Sequence, residues 1–148
     1  RGQSGCYALL TSDSRIVRGH AKVHGEGYEL AEHDAEGRDR IAAHPNARRL
    51  VVSGTTAYVL TKTSLLAVRR SNSSVQWSVQ CDYPHALILT EDVLFAGGTN
   101  KVAAYSITNG DELWSRAVNG RARALAAAGG RLFVSTETGN IHMFGRAH

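Results

Sequence analysis

The 148 residues include only two cysteines, Cys6 and Cys81, and two prolines. There is no C-x-x-C pair and no histidine spacing that would complete a zinc site. A disulfide framework and a structural metal are therefore poor explanations of the fold, and the two thiols are read as independent. Aromatic residues make up 7% of the chain, and no uninterrupted apolar run approaches the roughly 18 residues that a membrane span needs. No charged-then-apolar leader opens the chain. Lysine and arginine outnumber the acids 17 to 13, for a net charge of +4, but they stand singly or in pairs. That scatter argues against a nucleic-acid-binding tract. No Gly-x-Ser-x-Gly elbow occurs, and Gly97-Gly98 and Gly129-Gly130 lead to no Gly-Lys-Ser/Thr, so they read as turns rather than phosphate loops.

What remains is 43% apolar residues and 15 glycines, enough for one globular domain over residues 1–148 with a core of its own. A chain that opens on Arg1 is expected to have lost its natural start, and any targeting signal with it.

The chain repeats itself. LILTEDVLFAGGTNKVAAYSITNGDELW (Leu87 to Trp114) lies without a gap under LVVSGTTAYVLTKTSLLAVRRSNSSVQW (Leu50 to Trp77), with Tyr58 over Phe95, Ala67 over Ala104 and Asn72 over Asn109. A third copy begins at Leu125, with Phe133 eight positions on, as Tyr58 and Phe95 follow their own leucines. In the divergent first segment, Ala31, Gly37 and Ile41 align with Ala104, Gly110 and Trp114. Repeats thus start near Leu9, Leu50, Leu87 and Leu125, at steps of 41, 37 and 38. Within each, short apolar and β-branched runs alternate with turn compositions such as Gly-Gly-Thr-Asn and Thr-Asn-Gly. The alanines of Arg121 to Ala128 look helical, but Gly129-Gly130 and the repeat register make this segment a strand. Four strands recurring at about 40 residues predict an all-β fold, a β-propeller of four-stranded antiparallel blades with about four blades in this chain.

The segment Ala104 to Trp114 resembles A-x-D-x-x-T-G-x-x-x-W, the tryptophan-docking motif of propellers similar to the pyrroloquinoline quinone (PQQ) dehydrogenases, including the BamB-like proteins. Ser106 stands for the Asp and Asn109 for the Thr. Ala67 to Trp77 is similar, with Arg69 for the Asp and Ser73 for the Gly. The pattern covers residues 9 to 145 and differs from WD-type repeats, since neither Trp77 nor Trp114 is followed by Asp. The resemblance implies that Trp77 and Trp114 are structural, each packing on a small residue and a glycine turn to lock blade to blade. It also implies eight blades, so that this chain would be half of a larger ring, and an exported, periplasmic setting. The catalytic relatives hold the quinone beside calcium, using a Glu, an Asn, a basic Asp and an adjacent-cysteine disulfide. None of these maps onto this sequence. A non-catalytic scaffold for a protein partner or an anionic ligand is therefore expected. The alternative is a fragment of a quinoprotein oxidoreductase, with PQQ and calcium bound by blades outside this chain.

Three further expectations concern sites and closure. His20, His24, His33 and Asp34 could form a metal cluster, but Gly19, Gly25 and Gly27 argue for an exposed loop between Arg18 and Glu29. Because the last repeat stops after its third strand, the ring is expected to close there with a strand from the other terminus, and the chain alone to self-associate. Finally, two positions before each later founding leucine stands a basic or titratable residue: Arg48, His85 and Arg123. In a propeller those positions lie at one face near the channel, which predicts an anion-binding mouth.

Overall fold

A computed structural model describes residues 7–21 and 28–145, with side chains described for 11–19 and 29–145. Cys6, His24, Gly25 and Gly27 lie outside the described residues, as does the side chain of His20.

Every described element is a strand. The first blade is β1 (Tyr7–Leu10), β2 (Ile16–Ala21), β3 (Tyr28–His33) and β4 (Arg40–Pro45), paired in sequence order. The second is β5 (Arg49–Ser53), β6 (Thr56–Leu60), β7 (Ser64–Arg69) and β8 (Val75–Gln80). The third holds β9 (Ala86–Leu89), β10 (Val93–Gly97), β11 (Thr99–Ser106) and the first half of β12 (Glu112–Ala128). The second half of β12 opens the fourth blade and pairs with β13 (Arg131–Thr136), followed by β14 (Ile141–Gly145). All pairs are antiparallel, and the predicted blade starts are met at the later leucines. Leu50 faces Val59, Leu87 faces Ala96 and Leu125 faces Val134 across the first hairpin of each blade.

Side chains on successive strand positions point to opposite faces, and apolar residues on the facing sides of consecutive blades meet in three clusters. One cluster at the first seam joins Val17 and Leu30 to Ala57, Val59 and Val68. A second joins Leu60, Leu65 and Ala67 to Leu94, Ala103 and Tyr105. A third joins Val102 and Val118 to Leu132 and Val134.

Three expectations change. The expected strand from the other terminus does not pair with β14 among the described residues: Tyr7 and Ala8 belong to β1, which pairs with β2. β14 leaves Ile141 and Met143 exposed. Gly19 does not interrupt a strand either. It sits inside β2 opposite Leu30, where an added Cβ would collide with the Glu29 carbonyl. The first-repeat alignment also moves by one residue. Glu32 pairs with Ala42 as Ala67 pairs with Trp77 and Ala104 with Trp114, so Glu32 and Ala42, not Ala31 and Ile41, hold the motif positions.

Candidate functional site

Antiparallel meanders put the first and third turns of every blade at one end of the ring. The middle turns and the blade-to-blade crossings share the other, here called the crossing face. Arg48 and His85 are fixed there by the same backbone bond. The Arg48 N–H donates to the Leu60 carbonyl at 2.7 Å, and the His85 N–H to that of Gly97 at 2.9 Å. Arg123 occupies a bulge of β12, between the rungs of Ala122 and Ala124. It donates to Glu137 at 3.4 Å, and Arg121 reaches the same carboxylate at 3.6 Å.

The His85 ring lies 3.0 Å from the Thr99 hydroxyl. Burial pushes its pKa below the ordinary imidazole value, and the positive charges of Arg123, Arg121 and Arg48 add to the lowering. The three residues predicted from the sequence therefore lie within one electrostatic neighbourhood. Arg121, which the two-before-leucine rule misses, joins them, and a single carboxylate, Glu137, faces both arginines. Among the described residues, the crossing face carries Arg48, Arg49, Lys62, Lys101, Arg121 and Arg123 against Glu29, Asp82 and Glu137. The turn face reverses the balance, with Asp13, Asp34, Glu36, Asp39, Glu91, Asp92, Asp111 and Glu112 exceeding its arginines.

The two tryptophans differ. The Trp77 indole N–H donates to the Ile107 carbonyl of the next blade at 3.0 Å. Its ring lies on Gly110, whose added Cβ would come within 2.7 Å of the indole. Trp114 finds no glycine in the fourth blade. It packs between Phe95 and Phe144, at centroid distances of 5.9 and 6.1 Å. Trp77 thus meets a glycine turn of the third blade, whereas Trp114 meets the phenyl ring that β14 offers in its place.

At the first seam an ion cluster replaces the tryptophan. Arg70, buried, donates to Glu32 from Nε at 3.0 Å and from Nη2 at 2.7 Å, and to Asp13 from Nη1 at 2.9 Å. Fully buried Glu32 also accepts from Arg15 at 3.1 Å and lies 3.2 Å from His44 Nε2. Burial alone would raise the Glu32 pKa, but the hydrogen bonds from His44 and Arg70 and the Arg70 charge hold it down at about 2. Hydrogen bonds from Thr11 and Arg70 likewise bring Asp13 to about 2.

His33 ends β3 and Asp34 opens the turn after it, while the histidines proposed to join them lie outside the described side chains. Among the described residues no three His, Cys, Asp or Glu side chains gather as a metal site. No helix among them is long and apolar enough to cross a membrane.

The geometry of repeated meanders locked at their outer strands agrees with comparison to known proteins. A family model described as outer membrane protein assembly factor BamB matches residues 31–148. The chain belongs to this BamB-like, PQQ-type repeat family. No curated protein sequence matches it. Among solved structures, the computationally designed Ika4 protein superimposes with a TM-score of 0.80 at 14% identity, over 99% of this chain and 94% of that one. BamB from Moraxella catarrhalis gives 0.67 at 16% identity, over 89% of this chain and 46% of its own. The Neurospora crassa Pan2 WD40 domain gives 0.63 at 15%, over 97% and 55%. At these identities the likeness shows the propeller fold alone. This chain spans about half the length of the two natural structures.

Proposed function

We propose that this BamB-like chain is a non-catalytic propeller scaffold that binds an acidic protein surface on its crossing face, at the mouth formed by Arg48, His85 and Arg123. The observation that carries the reading is the His85 environment at the entry to the third blade, where arginines from the blades on either side act on one ring that also lies 3.0 Å from the Thr99 hydroxyl. Like charges gathered in a concavity repel one another, so an anionic partner that enters relieves a cost already present in the free protein. BamB is an assembly factor by its own description, which supports a protein as the partner.

The test uses fluorescein-labelled hexaglutamate as an acidic probe, followed by fluorescence anisotropy. Arg48→Ala and Arg123→Ala should each weaken binding about two- to fivefold at low salt, the effect of one partly exposed charge, and the difference should shrink as salt is raised. Binding should also tighten as pH falls below about 6.5, because an anion favours the protonated imidazole that the arginines oppose. Affinity that is unchanged in both variants, or insensitive to salt, would sink the proposal.

A further inference from the structure

Where the second blade places Trp77 and Val79 over the third, the first blade places Ala42 and His44 over the second, on the matching rungs opposite Glu32 and Leu30. Ser73 occupies the turn position that Gly110 holds one blade later, with a positive φ of 59° against 78°. Two bulky apolar groups are thus missing from the outer part of the first seam. The Glu32–Arg70 cluster fills only its inner part. What is left is a groove of about 910 Å³ beside β4, floored by Val59, Leu66 and Val68. Val75, 55% exposed, forms one edge. At the crossing-face end the rim carries Arg48 and Lys62, and no carboxylate lines the groove. An apolar floor beneath a basic rim selects for a ligand with one large apolar side chain flanked by acids.

We propose that this groove docks a short acidic segment of a partner protein, with an aromatic side chain lodged in the outer seam that tryptophan fills one blade later. The proposal rests on the scaffold reading but adds a second surface and an anchor that the charged mouth does not require. Its occupant is argued from charge complementarity at Arg48 and Lys62 and from the shape left by Ala42, His44 and Ser73.

The experiment compares two fluorescein-labelled peptides, Asp-Glu-Trp-Glu-Asp and Asp-Glu-Ala-Glu-Asp, by anisotropy on the folded chain. The Trp peptide is expected to bind at least tenfold more tightly. Val75→Asp, at an exposed position, should abolish that preference, and Lys62→Glu should weaken the Trp peptide at least fivefold. Thermal melts followed by circular dichroism establish that each variant is folded. Should Val75→Asp not fold, Ser73→Phe, which fills the groove from the turn, carries the same expectation. Equal affinity for the two peptides, or a preference that survives the substitution, overturns the groove while leaving the mouth reading intact, since the mouth needs only the acids. Absence of binding by either peptide overturns both.

Discussion

At the scale of single residues, the informative side chains are those that break the apolar pattern. Glu32 stands on a rung where the later blades put alanine, and its charge survives burial only because Arg70, Arg15 and His44 surround it. A buried pair of this kind adds little net stability compared with a well-packed apolar pair, yet breaking it is costly. Arg70→Ala is expected to destabilise the fold by about 3 kcal/mol, because it leaves the buried Glu32 carboxylate with only Arg15 and His44 to compensate it. The same cluster sets an acid limit. With its folded pKa held near 2 against an ordinary value of 4.5, Glu32 contributes stability that is complete above about pH 5. That contribution falls away as pH drops toward 2, by on the order of 3 kcal/mol. Urea unfolding measured from pH 6 to pH 2 checks this. Glu32→Gln should flatten the slope in that window, and an unchanged slope would locate the acid sensitivity elsewhere.

At the scale of elements, the outer strand of the second blade joins it to the third, and its partner there is a turn. The indole of Trp77 on β8 lies against the turn after β11, where Gly110 has a positive φ and no room for a side chain. Gly110→Ala is therefore expected to cost about 2–3 kcal/mol, from overpacking added to a left-handed backbone. Gly130→Ala serves as the control, since its surroundings are open at a similar φ. A calorimetric melt that moves equally for both would show that the backbone, and not the indole, matters. Strand starts and turn chemistry were legible in the sequence because they recur in apolar identity and spacing at steps of 41, 37 and 38 residues. The first blade was misaligned by one residue for the same reason: matching Ala31 to Ala104 kept a small apolar residue in the core and set the charged Glu32 aside. Only the fold brings Glu32 to Arg70, 38 positions along the chain, so no linear pattern marks the pair. Arg48, His85 and Arg123 stand out in the sequence because each precedes a repeat leucine by two positions, whereas Arg121 and Glu137 follow no repeat.

At the scale of the whole molecule, the seams are not alike. Each has an apolar cluster, to which the first adds an ion cluster and leaves a groove, the second a docked indole, and the third the aromatic rings of Phe95, Trp114 and Phe144. The last two blades also share backbone. β12 runs for 17 residues, with a positive φ of 96° at Gly120 and a bulge at Arg123, whereas the earlier blades are linked by segments that leave the sheet between β4 and β5 and between β8 and β9. A strand that belongs to two sheets cannot lose its pairing in one without loosening the other. The third and fourth blades should therefore open as a single cooperative unit. In native-state hydrogen exchange, the amides of β11 and β13 should share one opening free energy and one denaturant dependence, while those of β2 and β3 exchange through an easier, separate opening. Two distinct isotherms for β11 and β13 would mean that the bend at Gly120 acts as a hinge between independent units.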